Sequence, residues 1–268
     1  MKLSKGKIIL IVIVVYFIVF AIINVNKEKD INKEILEKVV IVNDGKVDEK
    51  NNGKIVLVVG KISYDHLVTF DELEDGFGTI KINRKVEDFK KVEDEEKWVE
   101  RKEPVDDNKE NNYLNKIISE EKLSKVKIGN YNLDQHGLKL IPTDNYYTKQ
   151  EKIGNLTTTG IFYARDPWEE DLKVGDIKLT YKYYDLNKNP YISVLAVQKD
   201  NTFKPYIVDK KTEVYQLFKG KVDTKKKLKK ELKINVKKTV KGKTLFIIII
   251  ILIGTFLIID NKKNKTNV

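Results

Sequence analysis

The amino-acid sequence predicts an α+β membrane protein: a β-rich hydrophilic domain between two transmembrane helices, with a basic amphipathic helix before the second. Three observations predict it. Two charge-free apolar runs, Ile8–Ile23 and Leu245–Ile259, stand at opposite ends, with about 220 mostly polar residues between them. The intervening chain is rich in β-branched, alternating stretches. Its last part, 212–243, is crowded with lysine.

The apolar runs come first in the argument. Ile-Ile-Ile-Ile-Ile-Leu-Ile at 247–253 has no polar face, so as a helix it rests only in lipid or in a large core. The domain holds too many charges to supply that core. Sixteen and fifteen residues span roughly 22–24 Å as helix, short of the ~30 Å hydrocarbon thickness. Lys5, Lys7, Lys241, Lys243, Lys262 and Lys263 close the gap by snorkelling. The expected order is a tail at 1–7, a first span at 8–25 and the β-rich domain at 26–211. The basic helix at 212–243, a second span at 244–259 and a tail at 260–268 follow. Lys2, Lys5 and Lys7 would also suit a secretion signal, but Phe20-Ala21-Ile22-Ile23-Asn24 offers one small residue for cleavage, so an anchor is expected.

Within the domain, 26–38 has helical period, with Ile31, Ile35 and Leu36 on one side. Lys54–Ser63 is a β-branched strand behind Asn-Asn-Gly, and Gly78–Val92 reads as one long strand, with Ile80, Ile82 and Arg84 on one parity. Pro104–Asn112 is loop-like. Residues 123–165 suggest shorter strands broken at Gly129, Gly137, Pro142 and Gly154. Asp176–Tyr184 and Tyr191–Gln198 both alternate, and across Asp185–Pro190 they predict a hairpin. From Thr212 the pattern turns helical: Val214, Leu217, Phe218 and Val222, then Leu228, Leu232, Val236 and Val240.

Charge follows this division. The chain carries 51 Lys+Arg against 40 Asp+Glu, a net +11. Eleven lysines against Asp223 and Glu231 put +9 in 221–243 alone. Such a segment before a span reads as a helix on an anionic membrane surface, or as a solvated helix packing its apolar stripe on the domain. The candidate lipid-binding residues are Lys225, Lys226, Lys227, Lys229, Lys230, Lys233, Lys237, Lys238, Lys241 and Lys243. No aromatic interrupts the stretch between Phe218 and Phe246, so nucleic acid is not an expected partner.

Little in the sequence points to catalysis. The chain has no cysteine, which excludes disulfides and thiolate chemistry. His66 and His136 have no pairing spacing and read as ordinary turn or surface residues. Asp185-x-Asn187-x-Asn189 opens like a calcium loop, but Pro190 replaces the glycine and Ala196 the bidentate glutamate. Glu93, Asp94, Glu95 and Glu96 read as a charged edge that prevents strand mispairing, or as a weak cation site. Asp166–Asp171 invites the same two readings. No hydrolase elbow, phosphate loop, dinucleotide fingerprint or zinc-protease motif occurs, so neither an enzyme nor a metal or cofactor is expected.

Several stretches together resemble the LUMA family of inner nuclear membrane and endoplasmic reticulum proteins, which has bacterial relatives. Asn52-Gly53-Lys54-Ile55-Val56 with Val58 and Gly60 is similar to the family's Asn-Gly-basic-aliphatic-Val strand. Val86-Glu87-Asp88-Phe89, then Val92-Glu93 and Trp98, resemble its Val-Glu-x-aromatic segment and a later tryptophan. Val126-Lys127-Ile128-Gly129 with Leu133 and Gly137-Leu138 parallels Val-x-Ile-Gly, and Val174-Gly175-Asp176-Ile177 resembles Val-Gly-Asp-Leu. Lys90-Lys91 departs from the family's Gln-Trp, and one late span stands where the family shows three.

The resemblance implies a non-catalytic membrane scaffold that self-associates, with its domain on the non-cytosolic side and both termini cytosolic. The Lys-, Ile- and Asn-heavy composition points to a bacterial cell membrane. Expected partners are anionic membrane lipid, further copies of the chain, with Asp176–Gln198 a candidate contact edge, and a membrane-associated protein. A membrane-perturbing stress or defence component is the alternative, and a membrane-anchored hydrolase a third reading.

Overall fold

Runs of β-branched residues dominate the folded chain as they do its sequence. The computed structural model describes residues 28–105, 113–165, 171–209 and 212–232, with Ile13 and Trp168. Helix α1 (28–38) leads into strands β1 (Val40–Val42), β2 (Ile55–Tyr64), β3 (Lys81–Val92) and β4 (Glu95–Glu100). Then come α2 (Tyr113–Lys116), β5 (Glu120–Leu123), β6 (Val126–Ile128), β7 (Tyr131–Asn132) and α3 (Gln135–Leu140). Four short strands follow: β8 (Asn145–Tyr146), β9 (Lys152–Ile153), β10 (Leu156–Thr158) and β11 (Tyr163–Ala164). The long β12 (Ile177–Tyr183) and β13 (Tyr191–Lys199) precede β14 (Thr202–Lys204), β15 (Tyr206–Asp209), β16 (Thr212–Val214) and β17 (Gln216–Lys219). Helix α4 (Lys225–Glu231) comes last.

The chain forms two compact units. The larger comprises Val40–Pro205 and Tyr215–Thr224 and contains two sheets. In the first, β14-β13-β2-β6-β7 lie side by side, β1 runs parallel to β2, and β17 pairs with β13. Its core gathers Val56, Val58, Ile128, Tyr131, Ile192, Val194 and Tyr215. In the second, the order is β4-β3-β12-β11-β10-β9, with β5 beside β3 and β8 beside β12. Its core is separate and aromatic, with Phe70, Phe77, Tyr147, Tyr163 and Tyr181 around Ile82, Val86 and Leu179. Of the described residues, the smaller unit takes 28–39, 206–209, 212–214 and 225–232. Its two strands, β15 and β16, form a sheet of their own.

Three glycines set how closely the first sheet packs. A Cβ on Gly60 would lie 2.6 Å from the Gly129 nitrogen, and one on Gly129 would lie 2.6 Å from the Gly45 Cα. Gly45 and Gly129 also hold positive φ, +61° and +59°, a region other residues enter at a cost. The backbones touch because no side chain stands between them.

The structure corrects the expected fold class. Among the described residues the protein is β-rich with four short helices, and no helix is long and apolar enough to cross a membrane. The runs proposed as two transmembrane helices lie outside the described residues, apart from Ile13. The basic amphipathic helix expected over 212–243 is also overturned where the structure describes it. Thr212–Val214 and Gln216–Lys219 are strands, and helix begins only at Lys225. Val214 and Phe218 fit a four-residue helical period, but β-branched and aromatic residues in a short run fit a strand equally well, and strand partners decide.

The hairpin expected across Asp185–Pro190 is absent. β12 pairs with β3 through Ile177↔Asp88 to Tyr183↔Ile82, whereas β13 pairs with β2 through Tyr191↔Lys61 to Val197↔Ile55. The connection instead carries the chain from one sheet to the other. The Tyr184 amide donates to the Lys81 carbonyl at 3.0 Å, and the Pro190 carbonyl accepts from the Ile62 amide at 3.0 Å. Asp185 Oδ1 accepts from the amides of Asn187 and Lys188, which folds the calcium-like stretch into an Asx turn. Alternation reports a buried face and does not name the neighbouring strand. Both strands are interior in their sheets, so the 176–198 segment offers no hairpin edge for another copy. Gly137, expected to break a strand, lies inside α3, whose Asp134 cap accepts from the Gly137 amide at 2.9 Å.

Candidate functional site

The predicted lipid-binding residues that the structure describes belong to the smaller unit. Helix α1 buries Ile31, Ile35 and Val39, spaced by four residues, at 4%, 0% and 4% exposure. Lys29, Lys33 and Glu37 face outward. Glu34 accepts from Lys38 Nζ and from the Tyr206 hydroxyl, each at 2.7 Å, which ties α1 to β15. Those two hydrogen bonds hold the Glu34 carboxyl below the usual range, and the bond to Glu34 pushes the Tyr206 hydroxyl up. Replacing Tyr206 with phenylalanine is expected to cost about 0.5–1.5 kcal/mol, read as a lower denaturant midpoint of the full chain.

Helix α4 divides its residues sharply. Leu228 is fully buried and Leu232, just past its end, is 6% exposed, whereas Lys225, Lys226, Lys227, Lys229 and Lys230 are exposed. Lys225 Nζ donates to the Glu37 carbonyl at 3.3 Å, so α4 meets α1. Of the two placements expected for the leucine stripe, on lipid or against protein, Leu228 and Leu232 take the second. Lys233, Lys237, Lys238, Lys241 and Lys243, with Val236 and Val240, lie outside the described residues. Between α1 and α4 opens a cavity of about 560 Å³. Leu36, Leu232 and Asn32 line it, with Lys29, Lys33, Lys229 and Glu37. Such an arrangement presents positive charge beside an apolar wall.

The larger unit holds two buried ionic groups that sequence reasoning missed. Arg84 and Glu72, 7% and 8% exposed at the side chain, meet at 2.6 Å, and the Tyr181 hydroxyl donates to the same Glu72 oxygen at 2.7 Å. Burial pushes the Tyr181 hydroxyl strongly up, and the Glu72 charge adds to that. Arg84 also donates to Glu120 and to the Ile118 carbonyl, and its guanidinium lies 4.1 Å from the centre of the Phe70 ring. Arg84, Glu72, Glu120 and Phe70 line a cavity of about 560 Å³ together with Tyr113, Lys116 and Lys122, and the Arg84 donors there are spent on Glu72, Glu120 and the Ile118 carbonyl. Asp88 and Arg101, each with a 3% exposed side chain, form the second pair. The available signal was parity: Arg84 and Asp88 share the inward face of β3 with Ile82 and Val86.

The other sequence candidates stay apart. Glu93 and Asp94 turn the chain between β3 and β4, with Glu93 at φ +58°, and Glu95 and Glu96 open β4 at one end of its sheet's strand order. His136 lies against the Tyr215 ring, and His66 offers its carbonyl to Ser124. In the acidic 166–171 stretch, Asp166, Pro167, Glu169 and Glu170 lie outside the described residues. Among the described residues no group of three or more His, Asp or Glu side chains could hold a metal ion.

Comparison with known proteins returns one family. The transmembrane protein 43 family matches residues 78–265, which takes in the Val86–Glu93, Val126–Leu138 and Val174–Ile177 resemblances but not Asn52–Gly60. No curated protein and no solved structure matches the chain. The family points to membrane association and is not a known enzyme family. Matched over about seven-tenths of its length, the chain belongs to the transmembrane protein 43, or LUMA, family.

Proposed function

We propose that this protein is a non-catalytic membrane scaffold that self-associates and organises lipid or membrane-associated proteins around it. Its α4 lysines contact anionic lipid through charge. The observation that carries this reading is the exposed Lys225–Lys230 strip on a helix whose leucines are already covered, in a chain of a membrane family. Each lysine near an anionic surface contributes roughly 1 kcal/mol, weakened by salt. The covered leucines weigh against the alternative of a membrane-perturbing component, because insertion of this helix needs an apolar face. In our reading the terminal apolar runs enter lipid, the β-rich part lies on the non-cytosolic side of a bacterial cell membrane, and both termini are cytosolic.

Self-association draws on confinement at the membrane, which raises effective concentration, and on contacts within 52–220. A membrane-associated protein is a further proposed partner. Mass measurement of the detergent-purified full chain should give an oligomer, and a strict monomer at micromolar concentration removes the scaffold reading. Amine acetylation of the chain in bilayers supplies the lipid test. Lys225, Lys226, Lys229 and Lys230 should be several-fold protected by phosphatidylglycerol relative to phosphatidylcholine, and salt should reverse this. Equal reactivity in both lipids counts against lipid contact. Single cysteines at Ser4, Ser63 and Thr266 read the orientation: labelling only Ser63 from outside supports it, and labelling only the two ends overturns it.

A further inference from the structure

We infer that the cavity between α1 and α4 is a stoichiometric site for one anionic glycerophospholipid, whose headgroup it holds. The inference rests on the lipid-contact reading above and goes beyond it, from a charged strip that senses surface potential to a shaped pocket that selects a molecule.

Three observations carry it. The first is charge around an apolar wall. Lys29 and Lys33 of α1 and Lys229 of α4 surround Leu36 and Leu232. Glu37 is the acidic side chain of the lining and lies 4.0 Å from Lys33, so the local balance stays positive. An ammonium cluster suits a phosphodiester, and the two leucines suit the glycerol and first methylenes that follow it.

The second is an unmet acceptor. Asn32 Oδ1 is shielded from solvent and has no hydrogen-bond partner among the described residues, although Asn32 lines the cavity. A buried carbonyl left without a donor costs about 1–3 kcal/mol, and rotation of the Asn32 amide into the cavity it lines would let a headgroup hydroxyl supply the donor. That favours a polyol headgroup such as phosphatidylglycerol over choline, which has no donor.

The third is reach. Lys29 follows Ile23, the end of the first apolar run, by six residues, which is at most about 20 Å of extended chain. On the proposed reading that this run enters lipid, the cavity stands at most about 20 Å from the end of the run, at the membrane surface. Its volume of about 560 Å³ is of the ~300–1,000 Å³ order that small-molecule sites show, enough for headgroup and glycerol with the acyl chains left in the bilayer.

The test uses the full chain in neutral detergent, titrated with dihexanoyl-phosphatidylglycerol, dihexanoyl-phosphatidylcholine or inorganic phosphate and read by native mass spectrometry. One phosphatidylglycerol should bind per chain, with at least tenfold weaker binding of the other two. Leu36→Trp, which fills the cavity and keeps every charge, should lose that adduct. Asn32→Leu should reduce the preference over phosphatidylcholine while near-ultraviolet dichroism reports an intact fold. Both variants should retain salt-sensitive protection of Lys225 and Lys226 in anionic bilayers. No saturable adduct, or one unchanged in both variants, overturns the pocket while leaving the charged strip standing. Equal binding of inorganic phosphate overturns the lipid as occupant. Loss of lysine protection in the unaltered chain removes the reading beneath both.

Discussion

Arg101→Met is expected to destabilise the folded chain by about 3–5 kcal/mol, because it strands the Asp88 carboxylate in a place water does not reach. The guanidinium holds both carboxylate oxygens: Nε lies 3.1 Å from each, and Nη2 meets Oδ1. Nη1 also donates to the carbonyls of Leu114 and Ile117, pinning α2 and the chain after it to β3. Asp88→Leu with Arg101→Met should recover most of the loss, since a hydrophobic pair of similar volume avoids desolvating two charges. A double-mutant cycle from urea unfolding of the full chain in neutral detergent measures the coupling. A single-variant loss below about 1 kcal/mol would show that the pair is solvated in solution.

The same pair sets an acid dependence. Burial pushes the Asp88 carboxyl up, but the hydrogen bonds from Arg101 and Lys90 outweigh it and hold it below the ordinary value. A carboxyl lowered in the folded state contributes stability that is complete above its unfolded value near 3.9, and that contribution fades as pH falls through the folded value. In Arg101→Met only Lys90, 3.0 Å from Oδ2 and half exposed, still opposes burial. With the carboxyl of the variant left above its unfolded value, the destabilisation caused by the substitution should begin to shrink as pH falls towards about 4, where protonation relieves the stranded charge. It should shrink further below that pH as Asp88 of the unaltered chain takes up its proton.

Gly129→Ala should cost about 2–5 kcal/mol. The new methyl would lie 2.6 Å from the Gly45 Cα and 2.7 Å from its carbonyl oxygen, both backbone atoms that cannot rotate away. Overpacking of that kind costs about 1–3 kcal/mol, and the left-handed φ adds about 1–2. Gly160→Ala separates the two contributions, for Gly160 also has positive φ, +87°, but no atom within 4 Å of the added carbon. Only the strain contribution should appear there. Equal losses at 129 and 160 would mean the backbones part more easily than the packing implies. Thermal melts of both variants decide it.

Much of the β content was legible in the sequence, and its pairing was not. β2, β3, β12 and β13 lie where alternation or β-branching placed them, within a few residues. Their neighbours were not readable, because β12 and β13 are consecutive and yet enter different sheets. The apolar face of each is satisfied by any matching surface, so the choice depends on partners far along the chain, β3 for one and β2 for the other. For the candidate site, Lys225–Lys230 are proposed from charge alone. The cavity was not legible, since five of its seven lining residues come from α1, nearly two hundred residues earlier. The buried pairs left a readable trace, as Arg84 and Asp88 occupy the inward parity of an otherwise apolar strand. A charge there demands a counter-charge, and the sequence holds too many carboxylates to say which.

The smaller unit also has a history in time. Glu34 meets Tyr206 across 172 residues of chain, and Glu37 meets Lys225 across 188. At synthesis rates of about 5–20 residues per second, α1 waits roughly 10–40 s for the segments that cover it. Through that interval Ile31, Ile35 and Val39 form a sticky face on a nascent chain that already carries its first apolar run. A ribosome-bound chain halted before residue 206 should therefore be the species that chaperones or the insertion machinery hold longest, and the arrival of α4 should release it.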